Sequence, residues 1–329
     1  MKRSYRAIPT NIITGFLGVG KTTAIRHLLQ TKPAEEKWAV LVNEFGEVGI
    51  DGALLNADGI AVKEVPGGCM CCAVGVPSRV ALNNLIREQN PDRILIEPTG
   101  LAHPKQVLQQ FSGVAYKEVL DMRAVVCLVD PWCLSDPQFM ELPAFHDQIA
   151  MADVLVATKV DIADPAHVQR FEHFAGELSP AKARVGLVEG GRLDWRWLDL
   201  PRSTPGSSVG HQHHHAGEAT SEKQNSFALD SEGVARVENS AEFGESCGWQ
   251  FSSDWRFDRE KLVFLFEGLT VPRIKGVFAT PEGWLIINKM RTTVSQEQIE
   301  SAEDSRVEMI NLDRIDWEPI DRQIRDCRL

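Results

Sequence analysis

No stretch of this sequence approaches the roughly 20 consecutive apolar residues that a membrane-spanning helix needs, so a transmembrane segment and a membrane partner are both excluded. A basic excess is missing too. The 35 Lys and Arg residues stand against 46 Asp and Glu, for a formal charge of -11, and no local basic patch interrupts that balance. Such a surface repels a polyphosphate backbone, which excludes nucleic acid as a partner. The amino terminus, Met1-Lys2-Arg3-Ser4-Tyr5-Arg6, is basic but lacks the apolar core and cleavage site of a secretory signal, and a cytoplasmic location is expected. Cysteine is sparse and odd in number, seven in 329 residues, and no evenly spaced set suggests a disulfide framework. Internal repeats are absent.

What is present reads as an ordinary globular protein, with 43% hydrophobic and 25% charged residues, long enough for two domains. Short β-branched runs alternate with amphipathic segments through the first half: Asn11–Thr14, Trp38–Val42, Arg93–Ile96, Ala124–Val129, Asp153–Ala157 and Arg184–Val188. Helical spacing appears between them, as at Ala24, Ile25, Leu28 and Leu29, and at Val80, Leu82, Leu85 and Ile86. Nearly continuous apolar strands separated by helices predict a doubly wound α/β domain with a mostly parallel sheet. Residues 8–198 are assigned to that domain and 199–226, rich in Pro, Gly, Ser and His, to a flexible linker. Residues 227–329 are assigned to a smaller α+β domain. Its expected elements are a strand at Cys247–Phe251, a helix through Leu262 to Leu269, strands Ile274–Ala279 and Trp284–Asn288 joined by a Pro-Glu-Gly turn, a strand from Val307, and a terminal helix.

Gly15-Phe16-Leu17-Gly18-Val19-Gly20-Lys21-Thr22 satisfies the pattern G-x-x-x-x-G-K-[ST] between a predicted strand and a predicted helix, which is a P-loop NTPase signature. The glycines let backbone amides converge on phosphate oxygens, and the helix adds its positive end. Gly15, Gly18, Val19, Gly20, Lys21, Thr22 and the following Thr23 are therefore candidate nucleotide-binding residues. Lys21 is expected to neutralise the β and γ phosphates and Thr22 to place its hydroxyl on Mg²⁺. After the strand ending at Ala157, Thr158-Lys159-Val160-Asp161 is similar to the N-K-x-D guanine motif. A carboxylate at Asp161 can accept from guanine N1–H and the exocyclic amine, a donor pair that adenine lacks, while the Lys159 stem lies along the base. Thr158 replaces the usual Asn and predicts a weaker tie between this loop and the phosphate loop.

Gly67-Gly68-Cys69-Met70-Cys71-Cys72 gathers three thiols in four positions. Thiolates suit Zn²⁺ or Cu(I) far better than Mg²⁺. No matching second pair of cysteines follows, so a closed structural site is not indicated, and a labile one is. His211, His213, His214 and His215 fall in the linker, where they read either as a low-affinity collecting arm for Zn²⁺, Co²⁺ or Ni²⁺ or as part of an unselected polar tract.

The phosphate loop, the Cys-x-Cys-Cys run and Glu97-Pro98-Thr99-Gly100, in that order, resemble the CobW-type GTPases, relatives of the nickel-inserting GTPases of hydrogenase and urease maturation. Asn43-Glu44-Phe45-Gly46-Glu47 and Arg273-Ile274-Lys275-Gly276-Val277 resemble the same family. The resemblance implies GTP hydrolysis to GDP and phosphate, coupled to binding a metal, Zn²⁺ or else Co²⁺ or Ni²⁺, or to delivering it to a metalloprotein client. It also implies metal ligands at Cys71, with Cys69 and Cys72 beside it and Glu47 as a carboxylate ligand. Glu97 would orient Mg²⁺-bound or attacking water and, with Lys21, is the candidate catalytic residue. Gly100 would let the backbone approach the γ-phosphate, and Asn43 to Asp51 would act as a switch. A metal-dependent homo-oligomer is a further expectation. No residue identifies itself as an arginine finger or a water-positioning glutamine, so slow intrinsic turnover is expected. Two rival readings are a zinc buffer or sensor whose nucleotide site regulates assembly, and a P-loop kinase of a small metabolite, against which Asp161 argues.

Overall fold

The structure, a computed structural model, describes residues 7–16, 18–43, 61–65, 76–98, 104–203, 229–241, 244–291, 293–302, 304–311 and 313–329. In chain order the first part runs β1 (Ile8–Gly15), α1 (Lys21–Thr31), β2 (Trp38–Asn43), β3 (Ala61–Val65), α2 (Val76–Gln89), β4 (Arg93–Glu97), α3 (Pro104–Ser112), β5 (Leu120–Met122) and β6 (Val126–Val129). Short turns of helix at Pro131–Ser135 and Pro137–Met140 lead into α4 (Pro143–Met151), β7 (Val154–Ala157), α5 (Pro165–Glu177) and β8 (Arg184–Leu187). The strands pair in the order β3-β2-β4-β1-β6-β7-β8 with every ladder parallel, and β5 joins the β6 side of β1 at its start.

The apolar runs are continuous because both faces of this sheet are covered. Trp38, Val40, Val42, Ile13 and Leu95 pack with Ile25 and Leu28 of α1 and Phe171 of α5. The alternate residues Ala39, Leu41, Ile12, Ile94 and Ile96 pack on the other side with Leu82 and Leu85 of α2 and Phe111 of α3. Local chemistry sets the helix starts. Asp164 accepts from the Ala166 amide at 2.8 Å, ahead of Pro165 at the first helical position of α5.

The second part runs β9 (Val234–Ala241), β10 (Gly244–Phe251), α6 (Arg259–Gly268), β11 (Arg273–Thr280), β12 (Gly283–Met290), β13 (Thr293–Ile299), β14 (Ser305–Asn311) and α7 (Glu318–Arg325). It forms a separate antiparallel sheet in the order β13-β12-β11-β14-β10-β9. Period-two alternation divides its faces. Trp249, Ile274, Phe278, Ile287, Val307 and Met309 form a core with Leu262 and Phe266 of α6 and Ile320 and Ile324 of α7. The buried Lys289 points to the same face, where its Nζ donates to the Phe266 carbonyl at 2.7 Å near the end of α6. The opposite face turns toward the first sheet, and its Ile310 enters the first domain's core. Next to it Arg291 lies over the Trp132 ring and donates to the Cys133 sulfur at 3.4 Å.

β3, β5, β9 and β13 are additions to the sequence reading. Three of them are sheet edges, and β13, Thr-Val-Ser-Gln-Glu-Gln-Ile, is almost wholly solvent-facing, so it is held by ladder hydrogen bonds that leave no apolar pattern. Among the described residues no helix is long and apolar enough to cross a membrane.

Candidate functional site

The strand order reverses direction around β1, because β2 and β4 lie on one side of it and β6 and β7 on the other. Ligands of open α/β sheets bind at such a switch point, beyond the carboxyl ends of the strands. A cavity of about 720 Å³ opens there, lined by Gly18, Gly20 and Lys21 after β1, Glu97 at the end of β4, Asp130 after β6 and Lys159 after β7.

Local backbone geometry explains the glycine spacing. Gly15 has φ +141°, and a Cβ there would lie 2.4 Å from the Leu128 carbonyl oxygen. Gly18 has φ +68°, and a Cβ would collide with the Met290 side chain of the second domain. At Gly15 only glycine accommodates both the dihedral and the backbone approach, and at Gly18 the left-handed dihedral makes the demand. Gly20 precedes α1 and supplies no side-chain cap, so the first-turn amides of that helix have no side-chain acceptor there.

Lys21 is buried, and its Nζ donates to the carbonyls of Gly15 at 3.0 Å and Phe16 at 3.2 Å. The Thr22 hydroxyl donates to Glu97 Oε1 at 3.0 Å. Glu97 is only 4% exposed, and its second oxygen, Oε2, is buried with no hydrogen-bond partner. Burial drops the Lys21 ammonium to about 8; Glu97 opposes that drop and Arg273 adds to it. Burial likewise raises the Glu97 carboxyl above the ordinary carboxylate range, with Lys21, the Thr22 hydrogen bond and Arg273 pulling it back. An orphaned carboxylate oxygen beside a threonine hydroxyl fits a hard divalent cation.

The loop after β7 departs from one expectation. Thr158, despite replacing Asn, ties the two loops directly: its buried hydroxyl donates to the Val19 carbonyl at 2.7 Å. The shorter side chain suffices because β6 and β7 bring the loops close enough, and Thr158 also reaches the Val129 carbonyl at 3.3 Å. Lys159 adopts φ +58° and its Nζ pairs with Asp130 Oδ2 at 3.2 Å. Asp161 is exposed and stands outside the cavity lining, while its neighbours Lys159, Ile162 and Asp164 line it. Thr23 also lines the cavity, and Val19 is buried behind it.

Asp130 and the second domain's Arg273, Lys275 and Glu308, to which the sequence alone assigns no role, also line the cavity. The available signal was the alternation Arg273-Ile274-Lys275, two cations two residues apart on a strand. Glu47, Cys69, Cys71, Cys72, Gly100, His211, His213, His214, His215 and the switch segment after Asn43 lie outside the described residues. The four described cysteines are buried free thiols. Burial pushes Cys127 and Cys133 up to about 12 and Cys327 to about 11, and it raises Cys247 further. Among the described residues no three His, Cys, Asp or Glu side chains cluster as metal ligands.

The CobW/HypB/UreG nucleotide-binding domain matches residues 9–185. The chain is 42% identical over 327 residues to the zinc chaperone YeiR of Escherichia coli strain K12, covering 97% of this chain and 98% of that protein. It is 36% identical over 196 residues to the zinc chaperone YjiA of the same strain, 57% of this chain and 59% of that one. A solved structure of Zn(II)-bound YjiA GTPase from E. coli aligns over 98% of this chain and 100% of that chain, at 19% identity and a TM-score of 0.39. With the domain matched over more than half its length and a relative alike from end to end, the chain belongs to the CobW/HypB/UreG family.

Proposed function

We propose that this chain binds and hydrolyses GTP and couples that cycle to binding Zn²⁺ and passing it to a metalloprotein client. One observation carries the nucleotide half: Lys21, Thr22 and the partly unpartnered Glu97 converge on a single cavity at the sheet's switch point. Lys21 now spends its donors on two loop carbonyls, and it would exchange them for phosphate oxygens when a nucleotide enters. Thr22 and Glu97 would hold Mg²⁺, which supplies neutralisation of the β and γ phosphate charge. Glu97 would also orient the attacking water. Asp161, exposed at the mouth, would take the guanine edge, with the Lys159 stem along the base.

The metal half rests on cysteine chemistry and on chain reach. The relatives YeiR and YjiA are named zinc chaperones, and a third relative is a zinc-regulated GTPase metalloprotein activator. Buried thiols with raised pKa values are poor ligands, which leaves the run Cys69, Cys71 and Cys72, with Glu47 as an added carboxylate. Val65 is in register with Asn43, and the adjacent Val42 with Glu97. The end of β3 therefore stands two strand spacings, roughly 10 Å, from Glu97. Cys69 follows Val65 by four residues, a reach of at most about 14 Å. A thiolate site near the phosphates can then respond to which nucleotide is bound. Zn²⁺ is cargo in this reading. We assign the GTPase unit to residues 8–198, a His-bearing linker to 199–226 and a client-facing domain to 227–329.

The test is hydrolysis of GTP and ATP with and without Zn²⁺. GTP turnover raised by Zn²⁺, with ATP near background, is the expected result. Equal use of ATP would contradict the guanine assignment, and absence of turnover under every condition the enzymatic one.

A further inference from the structure

The cavity has two walls from different domains. One is the phosphate loop with Glu97; the other is the face of the antiparallel sheet that points away from α6 and α7. On that face Arg273 and Lys275 sit at i and i+2 of β11, and Lys275 is in register with Asn288 of β12 and Glu308 of β14. Asn288 Oδ1 accepts from Arg273 Nη1 at 2.5 Å, which orients the guanidinium from the neighbouring strand. Lys275 is 6% exposed and Glu308 is 9% exposed. Glu308 lines the cavity, and its Oε1 is buried with no hydrogen-bond partner.

We propose that Arg273, supported by Lys275, binds the terminal phosphate of the nucleotide held by the phosphate loop, so that the second domain itself distinguishes a triphosphate from a diphosphate. This inference rests on the nucleotide reading above. Its physical basis is the charge gathered across one cavity. Lys21 on one wall faces Arg273 and Lys275 on the other, so a polyphosphate seated on the phosphate loop meets cationic donors from both domains. The Arg273 charge is felt at both Lys21 and Glu97, the groups flanking the γ-phosphate position. Guanidinium donors match phosphate oxygens two at a time. In hydrolysis the water oxygen bonds to the γ phosphorus and the bond to the bridging oxygen breaks. That oxygen leaves with GDP, and the water's protons pass to phosphate and solvent. An arginine supplied from the same chain stabilises charge on the transferring group. The Met290 side chain lies against Gly18, so the two walls meet at the phosphate loop.

The experiment compares the full-length chain with Arg273→Ala, Arg273→Lys and Lys275→Ala, measuring affinity for GDP and for a non-hydrolysable GTP analogue, and kcat for GTP. Arg273→Ala should weaken the analogue by on the order of 10-fold or more while GDP changes less than about 2-fold, as expected for one charge-assisted contact to the terminal phosphate. Its kcat should fall by at least about 100-fold, and Arg273→Lys should recover part of both losses. Retained GDP affinity shows that the variant is folded. Should Arg273→Ala keep the parent's preference for the analogue over GDP, or lose both nucleotides equally, the inference is overturned while the nucleotide reading stands. A parent chain that binds neither nucleotide removes both.

Discussion

The Thr158 hydroxyl donates to the Val19 carbonyl across 139 residues of sequence, at 2.7 Å and out of contact with solvent. This bond links the loop after β7 to the phosphate loop. Replacing Thr158 with the isosteric Val leaves a buried carbonyl without that donor. The variant should lose about 1–2 kcal/mol of stability, read from urea or guanidinium unfolding, and should bind GTP several-fold more weakly.

Lys21→Met should abolish nucleotide binding without unfolding the protein, since among the described residues the ammonium's hydrogen bonds go to the Gly15 and Phe16 carbonyls. Ligand at about 100 times Kd stabilises a folded protein by about 2.7 kcal/mol. The parent should therefore show a clear rise in Tm with GTP, and the Met variant none.

Two buried groups give the site opposite pH signatures. Lys21 sits at about 8 in the folded chain against an ordinary 10.5, so between those values the unfolded chain holds the extra proton. Its contribution to stability is present above 10.5 and is lost as pH falls through about 8. Bound phosphate restores the proton, so GTP affinity should fall about tenfold from pH 7 to pH 9, with proton uptake on binding visible by calorimetry in buffers of different ionisation enthalpy. Glu308 runs the other way: it is raised from an ordinary 4.5 to about 8, and the folded chain holds the proton in that window. Its contribution is full below 4.5 and is lost as pH rises through about 8. Glu308→Gln should flatten that decline, leaving the variant more stable than the parent at pH 8 and little changed near pH 4.5.

Zinc stoichiometry should separate the two cysteine populations. Cys71→Ser should remove or strongly weaken Zn²⁺ binding in a competition titration with a chromophoric chelator. Cys133→Ala and Cys327→Ala, at buried thiols held in the protonated form, should leave it unchanged.

Much of this was legible in the sequence, and the exceptions have physical causes. The interior strands announce themselves because both faces are buried, as in Val154–Ala157, where every residue is enclosed. The edge strand β13 leaves no apolar pattern because backbone pairing, which any residue type can supply, holds its largely exposed residues in place. The phosphate loop was readable because its glycines answer a local steric demand. For Arg273 and Lys275 the sequence carries only a weak signal, two cations alternating on a strand, and for Glu308 none, since their place in the cavity lining depends on how one domain docks on another. The Thr158 tie is hidden in the sequence because a substitution shows the side chain lost but not the distance that remains to be bridged.

The proposed coupling between the two ligands is most directly tested by Zn²⁺ affinity measured in the presence of GDP and of a non-hydrolysable GTP analogue, together with the reverse titration. The account predicts that the analogue tightens Zn²⁺ binding by about 10-fold or more, and that Zn²⁺ tightens the analogue by the same factor, as linkage requires. Identical Zn²⁺ affinity in both nucleotide states would contradict it.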